Sequence, residues 1–142
     1  MSTPPAQDIL LTGSCLCGNI RYEVSKIHHR MAHCHCTMCR KFHGAAFSTY
    51  TEARCEHFRW VQGESNLKTY QAPNGTRRQF CEQCGSSMTF SASDADSSVI
   101  EFASATLDTP VDLHPDAHIY TESRVSWFQI NDGLPEYKAG RE

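Results

Sequence analysis

Apolar and polar positions along this chain alternate over short stretches, and no long run repeats at the three-to-four spacing of an amphipathic helix. Ile20, Tyr22 and Val24 alternate with Asn19, Arg21 and Glu23, a period of two that predicts a strand with one buried face. With Leu10, Leu11 and Cys15 leading into the Cys17-Gly18-Asn19 turn, residues 10–25 read as a hairpin. Residues 31–36 read as a short strand or extended loop, with residues 39–43 turning away from it. Phe47, Thr49 and Thr51 alternate with Ser48, Tyr50 and Glu52 in β-favouring residues, predicting a strand within 45–53. Two short strands, 58–61 and 67–70, lie either side of the Gln62-Gly63-Glu64 turn, and Pro73-Asn74-Gly75 marks another reversal. Residues 77–81 and 87–91 form a further hairpin, 98–103 a strand, and 118–121 a last one beyond Pro110 and Pro115. The expected fold class is mainly β, built of many short strands whose loops carry functional side chains.

Composition narrows this picture. A chain of 142 residues fits one domain, expected over residues 9–142 after a flexible tail at 1–8 with two prolines. Apolar residues make up only 39 %, so crosslinks by metal would supplement a modest core. The net charge of -3, with basic residues no denser than the pairs Arg40-Lys41 and Arg77-Arg78, argues against nucleic acid as the partner. No stretch has the length of a membrane span and the N-terminus lacks a signal-peptide pattern, so a cytoplasmic location is expected. In that reducing setting clustered cysteines bind metal or do chemistry rather than form disulfides.

Seven of the eight cysteines fall in clusters. Cys15 and Cys17 precede Gly18, Cys81 and Cys84 precede Gly85, and Cys34, Cys36 and Cys39 lie between them. Zinc takes four thiolate or imidazole ligands in a tetrahedron, and two cysteine pairs on separate hairpins make a closed structural set. A glycine after each second cysteine lets the turn take positive φ and aim backbone N–H groups at the sulfurs. Closing the loop from 17 to 81 costs roughly 4 kcal/mol, which about 10 to 16 kcal/mol of zinc binding outweighs. The remaining three cysteines leave one ligand position open, the arrangement of catalytic zinc, unless His33, His35, His43 or another side chain completes a second structural site. Three thiolates make the ion a weak Lewis acid and a poor source of hydroxide, so a soft thiolate is the better fourth partner. Alternation in extended chain turns the histidine inside Cys-His-Cys away from the sulfurs. Arg40 and Lys41 could hold a substrate carboxylate, and His43 is the candidate proton shuttle. Cys55 reads as an incidental residue, and Trp127 with Phe128 as a cap on the core.

The segments Gly13-Ser14-Cys15-Leu16-Cys17-Gly18-Asn19-Ile20-Arg21-Tyr22-Glu23, Cys34-His35-Cys36-Thr37-Met38-Cys39-Arg40-Lys41 with Gly44-Ala45 and Phe47, and Phe80-Cys81-Glu82-Gln83-Cys84-Gly85-Ser86 resemble the glutathione-dependent formaldehyde-activating enzymes, grouped with centromere protein V. So do His118-Ile119-Tyr120 and the closing run from Trp127 to Pro135. The resemblance implies an Mss4-like β-tent of short antiparallel strands organised around zinc knuckles. It implies a structural zinc on Cys15, Cys17, Cys81 and Cys84, and a catalytic zinc on Cys34, Cys36 and Cys39. The activity it implies is that of a carbon-sulfur lyase making or breaking S-hydroxymethylglutathione, with glutathione and formaldehyde as the reacting pair. The competing class is a non-catalytic module with two structural zinc sites that binds a protein partner.

Overall fold

The computed structural model describes residues 10–141, so the expected tail at 1–8 lies outside the described residues. In chain order the elements are β1 (Leu11–Ser14), β2 (Arg21–Val24), β3 (Met31–Cys34), α1 (Thr37–His43), β4 (Ser48–Arg54), β5 (Phe58–Gln62), β6 (Leu67–Gln71), β7 (Arg77–Cys81), β8 (Ser87–Ser91), β9 (Val99–Ala103) and β10 (Ala117–Ile119). The chain is mainly β, of short and mostly antiparallel strands. Two compact units share it, one holding residues up to His29 and Thr51–Val111, the other Arg30–Tyr50 and the chain from Asp112 onward. No helix among the described residues is long and apolar enough to cross a membrane.

In the first unit β1 and β2 form the expected hairpin, with Leu11 opposite Val24 and Gly13 opposite Tyr22. The antiparallel partner on the other side of β2 is β5 rather than a sequence neighbour. Strands β6 to β9 continue as an antiparallel meander. The alternation read from sequence is the burial pattern itself: Ile20, Tyr22 and Val24 are all fully buried. Tyr22 stacks on Phe58 with ring centroids 4.9 Å apart and meets Trp60 edge-on at 5.9 Å, while Phe102 closes the cluster at 5.4 Å. Such aromatic geometry adds attraction beyond the area removed from water. The phenol still needs a partner in this apolar setting. Thr106 donates its hydroxyl hydrogen to the Ala103 carbonyl at 2.7 Å, which leaves its oxygen to accept from the Tyr22 hydroxyl at 2.6 Å.

This packing explains Gly13. A Cβ added there would lie 2.2 Å from the Tyr22 Cζ and 2.3 Å from its hydroxyl oxygen, and Phe58, Trp60 and Phe102 pack against that ring. Gly13→Ala is therefore expected to cost about 1 to 3 kcal/mol by overpacking, read as a lower urea midpoint at unchanged slope. An unchanged midpoint would show that the ring moves freely.

In the second unit β10 runs parallel beside β3, with Ala117, His118 and Ile119 opposite Ala32, His33 and Cys34. Between β3 and β4 the structure departs from the sequence reading. Residues expected to turn away instead form α1, whose N-terminus is capped by the Cys36 sulfur accepting from the Cys39 N–H at 3.3 Å. Gly44 ends the helix in the left-handed conformation, and Arg40, Lys41 and His43 oppose the partial negative charge of its last turn. At seven residues the helix is too short to display an apolar period, which is why alternation alone missed it. Trp127 is also a correction: the residue is 73 % exposed, and Phe128 packs instead against Phe47, with centroids 5.4 Å apart.

Candidate functional site

The four cysteines of the two knuckles come together in the first unit. Their sulfurs all lie within 4.8 Å of one another, and the Cys15–Cys17 and Cys17–Cys81 separations are 3.6 and 3.9 Å. Zinc–sulfur bonds of about 2.3 Å in a tetrahedron place sulfurs about 3.8 Å apart, so this donor set fits zinc with little adjustment. The spacing is far beyond a disulfide bond, and all eight cysteines are free thiols.

The turns that hold these sulfurs are those the glycines predict. Gly18 and Gly85 have φ of 80° and 81°, and their N–H groups close the knuckles on the Cys15 and Cys81 carbonyls at 3.0 and 2.7 Å. The Ile20 N–H then donates to the Cys15 sulfur at 3.2 Å. A further support was not foreseen: the Ser86 hydroxyl oxygen accepts the Leu16 N–H at 2.7 Å, directing its own hydrogen to the Cys84 sulfur at 3.3 Å. One serine thus ties the first knuckle to the second. Desolvation opposes ionisation of Cys84, but the Ser86 hydroxyl and backbone N–H, with other hydrogen bonds, bring its pKa down to about 6. At Cys17 the Asn19 N–H favours the thiolate, yet desolvation and the three neighbouring thiols raise it to about 11. Four sulfurs this close compete for negative charge, and a cation relieves that competition.

In the second unit Cys34, Cys36 and Cys39 also have their sulfurs within 4.8 Å. Cys34 ends β3, Cys36 caps α1 and Cys39 is in its first turn, so a strand-to-helix corner delivers all three. The thiols of Cys36 and Cys39, and then burial, push the Cys34 pKa far up. This trio cannot carry several thiolates without a positive charge among them, which is again the donor chemistry of a soft metal ion. Arg40 follows in α1 with its Nε buried and without a hydrogen-bond partner among the described residues. His43 stands four residues beyond Cys39, on the same side of the helix, with its Nε2 on the Tyr50 hydroxyl at 2.8 Å. Cys55 is exposed and belongs to neither cluster; its thiol donates to the Ser97 carbonyl at 3.5 Å.

His35 does point away from the two sulfurs that flank it in sequence. It is fully buried, and its Nε2 lies 2.8 Å from His118 Nδ1, while His118 Nε2 lies 2.8 Å from Asp132 Oδ2. Burial and the neighbouring His118 and His33 bring the His35 pKa down to about 4, keeping it neutral near pH 7. The hydrogen bond from His118, then that from the Leu134 N–H, holds Asp132 below the ordinary carboxylate range. The roles of His118 and Asp132 escaped sequence reasoning because nothing local links positions 33, 118 and 132. The parallel β3–β10 register sets His33 beside His118, and the His118–Asp132 contact brings in position 132.

The fold is shared with the crystal structure of a Rhodobacter sphaeroides protein determined as a structural-genomics target. The match has a TM-score of 0.60 at 20 % identity, over 89 % of this chain and 98 % of that one. The class so defined is a mainly β protein with cysteine clusters able to bind metal. The family model described as glutathione-dependent formaldehyde-activating enzyme matches residues 10–123, and the chain belongs to that family. A relative from Halomonas elongata, named "Putative glutathione-dependent formaldehyde-activating enzyme", is 29 % identical over 129 residues, covering 86 % of this chain and 82 % of its own.

Proposed function

We propose that this protein is a carbon-sulfur lyase acting on the adduct of a thiol with a small aldehyde, with glutathione as the thiol and formaldehyde as the aldehyde. The observation that carries this reading is the incomplete donor set: three thiols converge at the start of α1, with cationic Arg40 and Lys41 directly after them. In this reading Cys15, Cys17, Cys81 and Cys84 hold a structural zinc, and Cys34, Cys36 and Cys39 hold a second one. Bound there, zinc supplies a soft Lewis acid that keeps a substrate sulfur in its thiolate form at neutral pH.

The chain's own residues supply the rest. Arg40 and Lys41 bind the carboxylates of the glutathione moiety by charge-assisted hydrogen bonds and so orient it along α1. His43 accepts the proton of the adduct hydroxyl as the carbon-sulfur bond breaks, the carbonyl forms and the thiolate leaves; addition runs through the same groups in reverse. Tyr50 holds the His43 ring by its Nε2 at 2.8 Å and so fixes its orientation beside the trio.

Titrating the cobalt-substituted protein with glutathione and with mercaptoethanol tests this reading. Both thiols should change the thiolate-to-cobalt charge-transfer absorption, and glutathione should bind about tenfold or more tighter through its carboxylates. Loss of that advantage in Arg40→Met would assign it to the guanidinium. No response to either thiol would sink the lyase reading in favour of a closed structural site, and equal affinity would remove glutathione as the substrate.

A further inference from the structure

We propose that His33, His118 and Asp132 form a third metal site, separate from both cysteine sets, for a divalent first-row transition ion. One donor atom from each residue lies within 4.8 Å of the other two. The parallel register of β3 and β10 sets His33 directly opposite His118, with ring centroids 4.9 Å apart. Asp132 arrives from the segment that follows.

What distinguishes this trio from an ordinary histidine–carboxylate pair is that the second donor atom of every member is already held. His33 Nδ1 lies 2.7 Å from the Thr49 hydroxyl, which leaves Nε2. His118 Nδ1 is on His35 Nε2 at 2.8 Å, leaving the Nε2 that faces Asp132. Asp132 Oδ1 accepts the Leu134 N–H at 3.1 Å, leaving Oδ2. Outer partners of this kind fix the tautomer and aim of metal ligands. Ligand bonds of about 2.1 Å at right angles place donors about 3 Å apart, close to the 2.8 Å between His118 Nε2 and Asp132 Oδ2. An ion would replace the proton those atoms share.

The surroundings match as well. Phe47 packs against His33 at 4.5 Å and against His118 at 6.1 Å, and Phe128 backs Phe47, which makes one side of the site dry. The Asp132 side chain is 43 % exposed and leaves the other side open to solvent and further ligands. Two imidazoles and one carboxylate with open positions favour ferrous iron, cobalt, nickel or zinc over calcium or magnesium.

The test uses the full chain with its resident zinc in place and cobalt(II) as the only added probe. One further saturable equivalent is expected, with weak ligand-field bands and no thiolate charge-transfer absorption. Asp132→Asn should weaken that equivalent by more than about 100-fold, and Thr49→Val by about 10- to 100-fold as loss of an outer partner. His114→Asn, at an exposed histidine paired with Asp112, should leave it unchanged. Proton NMR of the cobalt-loaded wild type should show two exchangeable hyperfine-shifted imidazole signals, from Nδ1–H of His33 and His118, a readout that needs no variant. No further equivalent, uptake accompanied by sulfur charge transfer, uptake retained in Asp132→Asn, or absence of the two signals would each overturn the proposal. Glutathione response belongs to the cysteine trio, so failure here and failure of the lyase reading are separate results.

Discussion

Replacing Cys81 by serine is expected to release one zinc per chain and to abolish the cooperative thermal transition. Cys81 is fully buried at the end of β7, with its sulfur 3.9 Å from that of Cys17, sixty-four residues earlier. The apparent binding free energy of a structural zinc, about 10 to 16 kcal/mol, is as large as the whole stability of a typical domain, so its loss leaves the first unit without the tie that holds its two knuckles. Metal analysis together with a melt followed by circular dichroism checks this. A variant that melts like the parent would remove the structural role of the four-cysteine set. Affinity should also fall with falling pH, because protons compete for every thiolate ligand; acid should therefore strip the metal before chelators are needed.

The opposite behaviour is expected of Cys36→Ser. It should lose the other zinc and all response to glutathione while its far-ultraviolet spectrum and melting temperature stay nearly those of the parent. Three ligands spanning five steps close almost no chain entropy, so little folding energy depends on their ion. The structure adds a reason for choosing serine. The Cys36 sulfur caps α1 through the Cys39 N–H, and a serine hydroxyl can make the same bond, whereas Cys36→Ala should cost about 1 kcal/mol more. Metal content, melting and the thiol titration, measured on one preparation, separate the two effects. Unfolding of the serine variant would make the central set structural and count against the enzyme reading.

How far the sequence could be read depended on the range of the interactions. The alternation of Ile20, Tyr22 and Val24, the glycines closing the knuckles, and the hairpin across residues 77–91 were all legible, because each is a local pattern with a local cause. The helix after Cys36 was not, since seven residues and one sulfur cap leave no periodic trace. Trp127 was misread because a large aromatic residue is usually buried, and here it is not. Pairing of β2 with β5, the Ser86 hydroxyl between the knuckles, and the meeting of His33 with His118 depend on register between distant segments. Spacing identified which cysteines belong together; it carried no information about the histidines, which have no neighbouring partner to mark them.

The reach of the contacts around the first sulfur set has a consequence in time. Cys17 meets Cys81 across sixty-four residues, and the Thr12 N–H is held by the Thr109 hydroxyl across ninety-seven. Contacts of that separation form late in a folding chain and make the search slow compared with hairpin closure. During synthesis the first two thiols emerge well before the second pair exists, and they stay unprotected over that interval. Oxidant present while the chain is being made should therefore lower the yield of folded protein far more than the same oxidant added afterwards.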